Sequence, residues 1–178
     1  MINKILVAVN RSPLGKSIFD TAVSLAQTTG ANLMLLHVLS PEESEYPILP
    51  VNTYYLLVKE LDYDRYHQKY AEYELQGLQF LQNLTEEATT GIDTEYTQLS
   101  GNSGRMICEL ANNWSADLIV IGSRGLKGLK EMFLGSVSNY VTHQAPCSVL
   151  IVRKSIDMNL KKTSVQSNDS DRQPSNTV

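Results

Sequence analysis

The segment Asp117-Leu-Ile-Val-Ile-Gly-Ser-Arg-Gly-Leu-Lys-Gly-Leu-Lys-Glu-Met-Phe-Leu-Gly-Ser-Val-Ser138 runs from four consecutive apolar residues into a glycine-rich loop. An apolar run of that length, closed by a glycine, reads as a strand buried on both faces, as in a parallel sheet. Beyond the loop, Ser136-Val-Ser-Asn-Tyr-Val141 can open a helix. Strand, glycine loop and helix N-terminus in that order suit anions, phosphates above all. The unpaired amides and the positive end of the helix dipole then face one space.

Upstream, apolar runs and helical patterns alternate. Lys4-Ile-Leu-Val-Ala-Val9 reads as the first strand. Ser12 is a natural N-cap with Pro13 at the first helical position. Ile18, Ala22, Leu25 and Ala26 then share one helical face, and Thr29-Gly30 ends the helix. Asn32-Leu-Met-Leu-Leu-His-Val38 is a second strand. Pro41, Pro47 and Pro50 make residues 40–52 an irregular excursion on the ligand side of the sheet, suited to act as a lid.

A long helical pattern follows, with Tyr66, Tyr70, Tyr73, Gly77, Phe80, Leu81 and Leu84 at spacings of three and four. A tyrosine stripe can stack rings, but a core face with hydroxyls at its rim is the commoner arrangement. Thr94-Glu-Tyr-Thr-Gln-Leu99 alternates like a strand near a sheet edge. Gly101-Asn-Ser-Gly104 turns into a helix carrying Met106, Ile107, Leu110 and Ala111, and Ser148-Val-Leu-Ile-Val-Arg153 is the last strand. Strands and helices in strict alternation imply an α/β fold: an open parallel sheet with helices on both faces.

The 178 residues suit one domain. Residues 1–153 form the expected folded unit. Residues 154–178 are rich in Ser, Asn, Asp, Gln and Lys, and are expected to be a disordered tail. A net charge of -4 speaks against nucleic acid as a partner, since phosphate neutralisation needs a basic surface. No apolar run approaches the ~20 residues that span a bilayer, so no membrane role is expected. The N-terminal apolar run is too short for a signal peptide, and a cytoplasmic location follows as the expectation. Cys108 and Cys147 lack metal or redox spacing and read as buried, reduced thiols.

Two common phosphate signatures fail. Lys127 and Lys130 are not placed as in a P-loop, and Asn10-Arg-Ser-Pro13 fills the turn where a dinucleotide fingerprint would lie. What remains is Gly122-x2-Gly125-x9-Gly135-Ser136. Gly122 and Gly125 would let backbone approach a ligand, and Ser136 and Ser138 offer hydroxyls. Against this stands the plainer reading, in which the glycines only turn the chain and Ser136 only caps a helix.

That spacing resembles the ATP-binding motif of the universal stress protein family. Ile5-Leu-Val-Ala-Val9, Leu35-Leu-His-Val38, Asp117-Leu-Ile-Val-Ile-Gly-Ser-Arg-Gly125 and Ala145-Pro-Cys-Ser-Val-Leu-Ile-Val152 are similar as well, so the resemblance covers residues 2–153. It implies five parallel strands in the order 3-2-1-4-5, a Rossmann-like sheet of the adenine-nucleotide α-hydrolase type. ATP would sit at the switch point between the first and fourth strands, where open α/β sheets hold ligands. By motif position, Ala8, Val9 and Asn10 would border the nucleoside, and Val38 would meet adenine through its backbone. Gly122, Arg124, Gly125, Gly135, Ser136, Val137 and Ser138 would hold ribose and phosphates, with Arg124 the natural charge partner. Lys127 and Lys130 could assist, although loop lysines more often only meet solvent.

One position departs from the family. Asn10 stands where its members commonly carry Asp, which weakens the case for Mg or Mn beside ATP more than it weakens nucleotide binding. No catalytic constellation is legible: His37 reads as a core or rim histidine, His67 lies on the long helix and His143 near the last turn. An ATP-dependent regulator in stress response is the leading expectation. A slow ATPase or autophosphorylating enzyme, and a nucleotide-free dimeric scaffold, are the alternatives. Val149-Leu-Ile-Val152 would form an apolar edge strand, which invites pairing with another chain. The resemblance implies a homodimer through these strands in antiparallel register.

Overall fold

The computed structural model describes residues 1–43, 45–48, 60–88, 91–123 and 134–153. Its elements run β1 (Lys4–Ala8), α1 (Pro13–Thr29), β2 (Asn32–Leu39), α2 (Glu60–Glu87), β3 (Thr94–Ser100), α3 (Ser103–Trp114), β4 (Leu118–Gly122), α4 (Ser136–Gln144) and β5 (Ser148–Val152). The strands form one sheet in the order β3-β2-β1-β4-β5. All four pairings are parallel, and Val7 of β1 stands level with Leu35 of β2 and Val120 of β4. The fold class and strand order are those expected. Strand limits fall within a residue or two of the expected ones, with Val9 just past the end of β1. The sequence expected for a disordered tail, 154–178, lies outside the described residues.

Alternation along the strands builds two cores. Ile5, Val7 and Val9 point to one face with Leu33, Leu35 and Val120, where Ile18, Phe19, Ala22 and Ala26 of α1 and Leu81 and Leu84 of α2 cover them. Leu6, Met34, Leu36, Val38, Ile119 and Ile121 point to the other, under Ile107 and Ala111 of α3 and Val141 of α4. A strand of period two between two helical layers must be apolar at every position, which explains the unbroken runs. The stripe on α2 is a core face as expected: Tyr73, Gly77, Leu81 and Leu84 are buried, with Tyr66, Tyr70 and Phe80 half-buried beside them.

Local chemistry sets the element ends. Pro13 opens α1, and Gly30 closes it in the left-handed region at φ 73°, its N–H donating to Ala26 O at 2.8 Å. Asn102 caps α3, its side chain accepting from Arg105 N at 3.0 Å. At the amino end of the sheet, Asp117 Oδ2 accepts from the backbone of Asn3 (2.7 Å) and Lys4 (3.0 Å). These two donors tie β1 to β4 and hold the Asp117 carboxyl below its ordinary range.

The carboxyl end is tighter. A Cβ added to Gly15 would lie 1.9 Å from Asn10 O, so the first turn of α1 rests directly on the backbone leaving β1. Gly15→Ala is expected to lower unfolding stability by about 1–3 kcal/mol, the usual size of an overpacking strain. Urea unfolding of the two proteins side by side checks this.

Candidate functional site

The strand order reverses between β1 and β4, the position at which open α/β sheets form a ligand crevice beyond the strand carboxyl ends. Ala8 stands level with both Leu36 and Ile121, and Val9 N donates to Leu36 O at 2.9 Å. The backbone of Ala8, Val9 and Asn10 thus forms one side of the crevice. Val38 is buried one residue before the end of β2, in the core shared with Ile121. Gly122 ends β4, and a Cβ there would come within 2.7 Å of Ile18 and 2.8 Å of Leu14. Its lack of a side chain serves the packing of α1 against β4.

Across the crevice, Gly135 occupies the N-cap of α4 with φ -60° and ψ 160°, and supplies no side-chain cap. The first helical bond runs from Asn139 N to Gly135 O at 2.9 Å. The preceding amides of the first turn therefore point outward without intrahelical partners. Val137 packs against the core that holds Val38 and Ile121, which fixes where this helix begins. Ser136 is exposed, whereas Ser138 is 2% exposed and donates its hydroxyl to Gly135 O at 3.0 Å. Ser138 thus closes the first turn, while Ser136 is left at the mouth. Arg124, Gly125, Lys127 and Lys130 lie outside the described residues.

Asn10 is more constrained than its sequence position indicates. Its Oδ1 accepts from Ser12 N (3.3 Å) and Ser12 Oγ (2.6 Å), an Asx turn that links β1 to α1. Ser12 holds the N-cap position of α1 as expected, but its hydroxyl is spent on Asn10 and makes no cap bond. With the carbonyl oxygen engaged, the amide Nδ2 is what Asn10 presents. Such a group can donate to a ligand oxygen and cannot ligate a cation. A nucleotide fits this donor set, and a resident divalent metal at Asn10 does not.

Next to the crevice lies a polar cluster that sequence reading missed. Arg11, following Asn10, pairs with Glu45, reaches Gln76 Oε1 at 2.5 Å and stacks 5.1 Å over the Tyr73 ring. Tyr73 donates its hydroxyl to Glu43, whose Oε2 lies 3.3 Å from Nε2 of the fully buried His37. His37 is the buried histidine expected, yet its Nε2 faces Glu43 without an aligned hydrogen bond. The one advance signal was the alternation of β2, which put His37 on the α2 side. Cys108 and Cys147 are half-buried free thiols whose pKa values burial pushes up, which fits inert packing groups.

Burial works to raise the Glu43 pKa, but the His37 and Tyr73 contacts and the Arg11 charge outweigh it and leave it lowered. A carboxylate depressed in the folded state contributes stability above its unfolded value, and that contribution is lost as pH falls through the folded one. Wild type should therefore exceed Glu43→Gln in stability at neutral pH, with the gap closing below about 4.5, the ordinary value for this group. Urea titrations of both proteins across that range measure the gap.

Comparison with known proteins agrees with this architecture. The sequence model of the universal stress protein family matches residues 1–153. The chain is 37% identical over 151 residues to universal stress protein Sll1388 of Synechocystis, covering 84% of this chain and 97% of that one. It is 38% identical over 154 residues to universal stress protein YxiE of Bacillus subtilis, covering 86% and 100%. Among solved structures, UspA of Lactobacillus plantarum superposes with a TM-score of 0.60 at 25% identity, covering 85% of this chain and 98% of that one. A universal stress protein in complex with cAMP gives 0.59 at 22% identity, covering 86% and 99%. An Arabidopsis thaliana family member with AMP bound gives 0.56 at 22%, covering 87% and 94%. With the family model matched across the whole sheet and relatives aligned over nearly their full length, the chain belongs to the universal stress protein family.

Proposed function

We propose that this protein binds ATP in the crevice between β1 and β4 and acts as a nucleotide-responsive regulator in stress response. The observation that carries the reading is the N-terminus of α4 at Gly135, without a side-chain cap among the described residues and set where the strand order reverses. Two solved relatives hold adenine nucleotides, cAMP and AMP, which supports this ligand class. In this reading Val38 meets the base through its backbone, and Asn10 donates its amide to the ribose or phosphates. Gly122, Gly125, Gly135, Ser136 and Val137 give the phosphates backbone contacts, and Arg124 supplies the charge. Ser138 shapes the helix turn.

Regulation is favoured over catalysis by Asn10. Its neutral side chain, turned to Ser12, offers neither a metal ligand nor a base. Binding that holds ATP without aligning a nucleophile gives little rate enhancement. The same reading includes a homodimer through β5, an edge strand whose Val149–Val152 are half-buried and whose outer backbone has no strand partner among the described residues.

Calorimetry is expected to give micromolar or tighter ATP binding that changes little when magnesium is chelated. Gly135→Leu should weaken it about tenfold or more by crowding the α4 amides. Asn10→Asp should make it respond to magnesium or manganese. Absence of heat with ATP would overturn the nucleotide reading. Sedimentation at micromolar concentration should give about twice the chain mass of 19.9 kDa, and a monomer would contradict the β5 dimer.

A further inference from the structure

Beside the crevice, the polar cluster around His37 has a proton arrangement that its hydrogen bonds determine. Gln98 on β3 donates its Nε2 to Glu74 O at 3.0 Å, which turns its Oε1 toward His37 Nδ1 at 3.1 Å. An oxygen acceptor there requires a proton on Nδ1. On the other side of the ring, Nε2 faces Glu43 Oε2 at 3.3 Å. The Tyr73 hydroxyl donates to that same oxygen. A bare nitrogen lone pair of the fully buried ring against the half-buried Glu43 carboxylate would be repulsive, whereas an N–H there is attracted.

We propose that His37 carries protons on both ring nitrogens when Glu43 is seated, and that this imidazolium, with Tyr73, makes a proton-dependent latch. The latch ties the segment leaving β2 to α2.

The surroundings of the ring support a pair isolated enough to act this way. From α2 the ring meets Tyr73, Phe80 and Gly77, and from β3 the neutral Gln98. Glu43 comes from the segment after β2, and Arg11 from the β1–α1 turn lies over Tyr73 rather than on the imidazole. Arg11 pairs with Glu45, and its charge also favours the ionised form of Glu43, the state that the proposed pair requires. A Cβ at Gly77 would lie 2.6 Å from His37 Nδ1 and 2.1 Å from Gln98 Oε1, so α2 is cut away where the pair sits. Burial and the adjacent carboxylate push the Tyr73 hydroxyl far above its ordinary range, so it remains a donor when the ring titrates. Loss of the Nε2 proton then leaves Glu43 with a repulsive neighbour.

Glu43 N donates to Ser40 O at 3.0 Å, and Tyr46 N to Glu43 O at 3.2 Å, so these amides report whether the segment is seated. Val38 lies two residues before Ser40, so the latch also steadies the β2 side of the crevice. That consequence rests on the nucleotide reading, and the test is therefore run on the full chain without nucleotide. Long-range proton–nitrogen NMR follows the His37 ring with pH, while hydrogen exchange at Glu43 and Tyr46 is corrected for its intrinsic pH dependence. Protection should be high while both ring nitrogens are protonated. It should fall about tenfold as one proton leaves and the attraction between Nε2 and Glu43 turns to repulsion.

In Glu43→Gln the ring should keep its proton on Nδ1 alone, and protection should be low and independent of ring titration. Should that variant fail to fold, Tyr73→Phe should keep the doubly protonated ring while lowering protection severalfold. A ring that is never doubly protonated in the folded protein, or amide protection indifferent to ring titration, would overturn the latch.

Discussion

The structure depends on β1 being hydrogen-bonded on both edges and covered on both faces. All five of its residues pair with β2 on one side and four, Ile5 to Ala8, with β4 on the other, while α1 and α2 cover one face and α3 and α4 the other. No backbone amide of such a strand can turn to water, so its polar groups must be met by its neighbours in register. Chain direction then places every strand's carboxyl end on one side. The reversal of order at β1 and β4 opens that side as a crevice. The candidate site is a geometric result of this pairing, with side chains only refining it.

Glycine enters where that geometry becomes tight. At Gly15 and Gly122 the absent Cβ lets α1 approach the backbone after β1 and the end of β4. At Gly135 the N-cap residue has no side chain to cap the first turn of α4, and none does so among the described residues. In α3 Asn102 fills the same position and satisfies Arg105 N, a cap that Gly135 cannot supply. Gly122 shows that one motif glycine can be required by packing as much as by a ligand.

Asn10 illustrates how a single side chain narrows chemistry. In the sequence it is a neutral residue where family members commonly carry a charge. In the folded chain its oxygen is engaged by Ser12, which leaves the amide nitrogen as its remaining polar group. The amide is thereby suited to oxygens of a sugar or phosphate. The same turn sends Arg11 to the opposite side, where it joins Tyr73 and Glu45 on the α2 face. Neighbouring residues of one loop thus serve two different places.

The element order, the two-faced burial of Ile5–Val7 and Leu33–Leu36 and the core stripe on α2 were all determined by sequence alone. Each is a local periodicity or a short-range pattern, and burial enforces such patterns residue by residue. The role of Asn10 in the β1–α1 turn, the packing purpose of Gly122 and the contact of Ser138 with Gly135 needed the folded chain. The cluster of Arg11, His37, Glu43, Tyr73 and Gln98 was decided by tertiary structure only. Its members come from the β1–α1 turn, β2, the segment after it, α2 and β3, and no spacing along the chain relates them. Parallel crossovers bring them together, and burial then forces their donors and acceptors to match.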